Sequence, residues 1–394
     1  MSLRPLLTGI LFSAAAFFPV EGLAAENNDA PQASGTQEST AAPISTQPPK
    51  LALPGFGTPA GDDTSTQTDA AIAPITPVTG EAPQPTSRDV LAETAMAYGT
   101  FQQDVTDFNR ELTSSDEIEA AATVLGTHNP ERLSAGWLAY SALLASESEE
   151  FAREVRKTDA HYGRDRMMLG FRNSPTYALQ LDGSDDALGR ALRASRADAD
   201  RLERVGENIK QQAYSMQKYG WAKATLRGDS EARAESLKFA AVAGRPVAGT
   251  VETLFAGPQL TSFLEDANRL GADSSFWDSM NAPPSPEGLQ LPVLSATGFS
   301  TYSLQRLRYN DERRLTAGRI ATLAAYRILD ETDDYDTQIA ETIEDQQSRD
   351  CFETAQQIFR QCVSASHKVY ERPFCIGEHA LKDVGECVAE VSER

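Results

Sequence analysis

Four cysteines, Cys351, Cys362, Cys375 and Cys387, are the residues of this chain best placed for covalent chemistry, and all lie in its last 44 residues. The pairs 351/387 and 362/375 share a midpoint near residue 369, the arithmetic of an antiparallel helical hairpin closed by two nested disulfides. The other pairings fail on distance. Cys351 and Cys362 are eleven residues apart, about 16 Å along a helix, whereas a disulfide needs Cα atoms within roughly 4–7 Å. Cys375 with Cys387 fails likewise, and the crossed pairing 351–375 with 362–387 misses the symmetric register by more than ten residues on each pair. The expected bridges are therefore Cys351–Cys387 and Cys362–Cys375.

Zinc is the competing chemistry. Cys362, His367, Cys375 and His379 lie within 18 residues, and Cys375/His379 is an i, i+4 pair on one helix face, which suits a tetrahedral site. Two disulfides account for all four cysteines more economically in an exported chain, so no metal is assigned.

Other chemistry is weaker. His161 is followed by Tyr162-Gly163-Arg164-Asp165, and Asp165 could orient the imidazole in a pocket, but no nucleophile accompanies it. His128 precedes Asn129 and reads as an ordinary polar loop residue. The acidic run Asp330-Glu331-Thr332-Asp333-Asp334-Tyr335-Asp336 lacks the ligand spacing and central glycine of a calcium loop. It suits instead the positive end of a helix dipole. The sequence carries no glycine-rich phosphate loop, no Gly-x-Ser-x-Gly turn and no Cys-x-x-Cys pair. No catalytic residue, cofactor site or cofactor is assigned.

The elements that must position these residues read as helices. Arg4, the apolar run Leu6–Val20 and the small residues Gly22-Leu23-Ala24-Ala25 have the layout of a secretory signal peptide over 1–25. Residues 26–87 are rich in Pro, Thr, Ala, Gln and Ser, and Lys50 is their only basic residue. Such a segment cannot bury enough apolar surface to offset ordering entropy, and is expected to be a disordered tether. A helical domain follows over 88–281, then a proline-rich connection over 282–299. A C-terminal helical region spans 300–394 and contains the cysteine hairpin 335–394. Leu91, Tyr98, Phe101, Val105, Phe108 and Leu112 repeat at helical period, and Ser114 and Asn129-Pro130 mark new helix starts. A long central helix is expected from Ser184 to about Leu226, and one continuous helix from about Tyr335 to Tyr370 enters the hairpin. No run alternates β-branched residues. The expected fold is all-α: a helical bundle or array with a long central helix and a disulfide-stapled C-terminal hairpin, preceded by the tether.

Charge narrows the partners. The chain holds 36 Lys/Arg against 57 Asp/Glu, a net −21. Nucleic acid is an unsuitable partner for so acidic a chain, because phosphate binding needs a concentrated basic surface. Residues 153–228 run the other way, with 15 Lys/Arg against 10 Asp/Glu. Arg190, Arg193 and Arg204 in that stretch form a candidate anion-contact surface. No later stretch is apolar enough to span a bilayer. The expected function is that of an exported, periplasmic or secreted, helical binding or scaffolding protein of the bacterial cell envelope. Its expected partner is a protein or an anionic envelope component. The alternative is an envelope hydrolase acting on peptidoglycan or another glycan.

Overall fold

Asp89 starts the first helix because its carboxylate accepts hydrogen bonds from the Leu91 and Ala92 amides at 3.1 and 3.2 Å, satisfying donors that a helix start leaves without partners. That helix, α1, runs Val90–Phe108. Ser114 caps α2 (Ser115–Gly126), and Asn129 with a proline in the first turn opens α3 (Pro130–Ser146). Ser148 caps α4 (Glu149–Tyr162), and Arg164–Asn173 form α5. The structure, a computed structural model, describes residues 89–271, 273–280, 309–332 and 334–392. The expected leader 1–25, tether 26–87 and connection 282–299 lie outside them. Among the described residues every regular element is helical, and extended pairing is confined to the isolated bridges Thr225/Lys368 and Tyr309/Ser392. The all-α reading holds.

The axis of the architecture is α3. Leu133, Trp137, Leu138, Tyr140, Leu143 and Leu144 are all at most 1 % exposed, which a helix achieves only when surrounded. Around it stand α1, the long α6 (Ser184–Met216), α11 (Arg314–Ile328) and α13 (Gln346–Ala365). Of the smaller helices, α7 (Ser230–Ala243) packs on α13 and α2, while α8 (Gly249–Phe255), α9 (Pro258–Leu270) and α10 (Phe276–Ser279) pack together against α1, α3 and α6. An aromatic cluster fills the space between α3, α9 and α10, with Phe263 5.0 Å from Phe255, 4.7 Å from Phe276 and 5.8 Å from Trp277 between ring centroids.

Three helices stop earlier than their periodicity suggests, the first being α1, which ends at Phe108 and leaves Leu112 in the loop beyond it. The long helix ends at Met216 rather than near Leu226. Beyond Gly220, residues 222–226 bond to the turn of the cysteine hairpin instead: Tyr370 N to Ala222 O at 3.1 Å, Val369 N to Ala224 O at 3.3 Å, and Leu226 N to His367 O at 2.9 Å. These long-range bonds replace the helical ladder. The helix expected from Tyr335 to Tyr370 is split into α12 (Asp336–Ile343) and α13. Asp345 causes the break. Its carboxylate accepts from the Ser348 amide (3.0 Å), the Ser348 hydroxyl (2.6 Å) and the Thr316 hydroxyl of α11 (3.0 Å), which makes it a buried cap rather than a mid-helix residue.

The hairpin returns through α14 (Arg372–Cys375), a π-helical stretch Ile376–Lys382 and α15 (Asp383–Ala389). Both expected disulfides are present, Cys351–Cys387 with Cα atoms 5.7 Å apart and Cys362–Cys375 at 5.6 Å. The returning strand of helix crosses α6 backbone to backbone. A Cβ at Gly377 would lie 2.2 Å from the Gly206 carbonyl oxygen, and one at Gly206 would lie 2.5 Å from the Gly377 oxygen. Only glycine at both positions permits this approach, and the wider π turn supplies the local backbone shape.

Candidate functional site

One face of α1 carries Glu93, Thr94, Ala97, Thr100 and Asp104 at helical spacing. Together with the α2–α3 loop and the turn after α7, this face encloses a cavity of about 350 Å³. Its wall includes His128, Asn129, Arg132, Leu133, Ala135, Arg245 and Val247. Such a volume falls within the roughly 300–1,000 Å³ of small-molecule sites.

Behind His128 and Arg245 in the cavity wall lies Asp104, which ties them into a charge cluster. The Asp104 side chain is 3 % exposed, His128 Nε2 lies 2.8 Å from its Oδ2, and Arg245 donates from Nε and Nη2 at 2.9 Å to Oδ2 and Oδ1. Burial pushes the Asp104 carboxyl up, but the hydrogen bonds from His128 and Arg245 outweigh it and hold the group below its ordinary value. Arg245 is held further towards its charged form chiefly by the Asp104 hydrogen bonds. The Phe101 ring meets the imidazole edge-on at 5.3 Å. The turn bearing Arg245 depends on Gly244, whose φ of +78° is left-handed and disfavours a side chain. The Arg132 guanidinium rests 2.9 Å from where a Gly244 Cβ would be. His128 thus belongs to a buried site. A lone carboxylate on the apolar face of α1 was the only sequence signal, and its partners lie 24 and 141 residues away.

A second buried polar network links α1, α6 and α10. Tyr98 Oη donates to Asp198 Oδ2 at 3.0 Å and Ser275 Oγ donates to Oδ1 at 2.6 Å. Arg201, 1 % exposed, donates to Gln102 Oε1, Thr106 Oγ1 and Asp278 Oδ1. Burial is the largest influence on Asp198 and pushes its carboxyl up to about 6, despite the Ser275 and Tyr98 donors. This network lies in the core rather than on the cavity wall.

A third feature is an open groove of about 450 Å³ between the end of α6 and the hairpin turn. Tyr214, Tyr370, Phe374, Ala213 and Ala365 line it, and the Cys362–Cys375 bridge forms part of its floor. Tyr214 is 52 % exposed, and the Lys210 ammonium sits 5.4 Å from the Phe374 ring centroid.

The remaining sequence candidates are placed as follows. His161 is exposed, with its ring against Tyr162 rather than oriented by Asp165. Cys362 and Cys375 are bonded to each other and so are not thiolate ligands, His379 Nδ1 sits 2.8 Å from Asp383, and His367 is exposed. Among the described residues no group of three or more His, Cys, Asp or Glu is arranged to hold a metal. Arg190 pairs with Asp186 at 3.1 Å and Arg204 with Asp278 at 2.7 Å. Burial lowers the Arg193 pKa. No described helix is long and apolar enough to cross a membrane. Comparison of the chain with protein-family models, with curated proteins and with solved structures finds no match to any of them.

Proposed function

We infer that this chain is an exported, non-catalytic binding or scaffolding protein of the bacterial cell envelope, and that its partner seats in the groove beside the inner disulfide. The observation that carries the reading is the groove's composition. Three aromatic rings and Ala365 line an open groove next to a covalently braced turn, with Ala213 buried beneath them. Rigid aromatic surface binds extended apolar or proline-bearing segments at low entropic cost, and a braced turn keeps that surface formed before the partner arrives. The disulfides suit an oxidising compartment, which agrees with the leader-like N-terminus. Arg190, Arg193 and Arg204 on α6 are the proposed contact for an anionic component. The hydrolase reading has less support: the carboxyl with the raised pKa, Asp198, is 1 % exposed and packed in the core.

The test is a photo-reactive residue at position 214 in the native envelope, with Arg196 on the same helix as the comparison position. A single envelope protein linked from 214 and not from 196, with the adduct lost in Phe374→Ser, is the expected result. Turnover of purified peptidoglycan by the isolated protein would overturn the non-catalytic reading.

A further inference from the structure

The cavity over Asp104, His128 and Arg245 offers a set of polar atoms that folding leaves uncommitted. His128 is 4 % exposed and spends Nε2 on Asp104, and in the neutral tautomer that donates to this carboxylate Nδ1 presents a lone pair. Nδ1 has no protein partner among the described residues, although the ring lines the cavity. Arg245 uses Nε and Nη2 on Asp104 and keeps Nη1 uncommitted. Arg132, on the same wall, has no ion-pair partner among the described residues. A buried acceptor beside two guanidinium groups is an unusual pairing. The guanidinium groups call for an oxyanion, and the imidazole nitrogen calls for an N–H donor. The remaining wall sets the apolar Ala97, Leu133, Ala135 and Val247, with room for small substituents, beside Glu93, Thr94, Thr100 and Asn129.

We propose that this cavity binds the carboxylate end of a peptide with small side chains: the carboxylate sits on Arg132 and Arg245, and the last amide N–H donates to His128 Nδ1. One ligand class satisfies all three groups because a peptide terminus places an acceptor pair and a donor within one residue. A simple carboxylate satisfies the guanidinium groups and leaves the imidazole unmatched, whereas hydrogen phosphate carries one O–H donor and is the competitor that the titration must exclude. The assignment is independent of the groove beside the disulfide, since the two sites share no lining residue.

The probes are N-acetyl-alanyl-alanine in its L,L and D,D forms, the matching depsipeptide with the last amide replaced by an ester, and inorganic phosphate, titrated calorimetrically into the whole protein. Saturable binding of at least one dipeptide is expected, weakened about tenfold or more in the ester, which lacks the N–H. Arg132→Gln, at an exposed position, should weaken it by a similar factor while the circular dichroism and melting temperature stay as in the parent. Three results would each overturn the assignment: no saturable binding of either dipeptide, equal affinity for amide and ester, or phosphate binding as tightly as the dipeptide.

Discussion

Replacing Asp198 with asparagine should change how stability depends on pH, by an amount that the structure sets. The carboxyl is buried on all sides and its value rises from 3.8 to about 6 on folding. A group whose folded value lies above its unfolded value contributes stability that is fully present below the unfolded value and is lost as pH rises through the folded one. At one pKa unit per 1.36 kcal/mol, the loss between about pH 3.5 and 7 is roughly 3 kcal/mol. Asparagine keeps the shape and an acceptor oxygen but does not titrate. The stability of the variant relative to the parent should therefore improve by about 3 kcal/mol across that window, whatever constant offset the amide introduces. Other groups drop out of this difference. Asp104, for example, is held low, so its contribution is lost as pH falls, and this occurs in both proteins. Urea unfolding followed by circular dichroism, with disulfides intact, at pH 3.5, 5 and 7 measures the difference directly. A parent–variant gap that stays constant within about 0.5 kcal/mol would instead mean that Asp198 has the same pKa folded and unfolded.

Gly377→Ala should cost about 2–3 kcal/mol by forcing α6 and the returning helix apart, lowering the melting point by roughly 5–10 °C; an unchanged melting point would show that the crossing is looser than a methyl group. Serine pairs in place of each bridge should separate by loop length, about 3 kcal/mol for the inner one with its 13-residue separation and about 4 kcal/mol for the outer with 36, read by chemical denaturation. Non-reducing peptide mapping should return only the 351–387 and 362–375 links. Asp104→Asn leaves Arg245 without its buried partner and should destabilise by roughly 3 kcal/mol, with Arg245→Lys intermediate because its ammonium cannot make the bidentate contact. Reversing Arg190, Arg193 and Arg204 to glutamate should weaken adsorption to an anionic polymer most at low salt, and unchanged adsorption would leave these side chains as solvated pairs.

What the sequence made legible follows the range of the interactions. The disulfide pairing is arithmetic on one local hairpin, and the caps at Ser114, Asn129 and Ser148 act within three residues of themselves. Helical class was equally accessible, because the stripe from Leu91 to Phe108 repeats at a single period. The errors occur where a distant partner overrides a local preference. Residues 222–226 leave the helix for backbone groups about 145 residues onward, and Asp345 breaks a helix because Thr316 and Ser348 converge on it. The cavity was illegible for the same reason. Asp104, His128 and Arg245 come from an apolar helix face, an inter-helix loop and a proline turn, and no spacing rule connects them.

The crossing of Gly206 with Gly377 has a consequence for the order in which the molecule is made. Synthesis delivers α6 more than 150 residues before the segment that covers it, and the mating surface is shaped for one backbone alone. Until residues 376–389 emerge, Leu202, Val205 and Ile209 on α6 lack much of their cover. The partly made chain therefore holds a long amphipathic helix open at its centre until the hairpin closes it. Closure of the helical core is tied to synthesis of the hairpin: a chain truncated before Gly377 lacks the piece against which the long α6 is fitted.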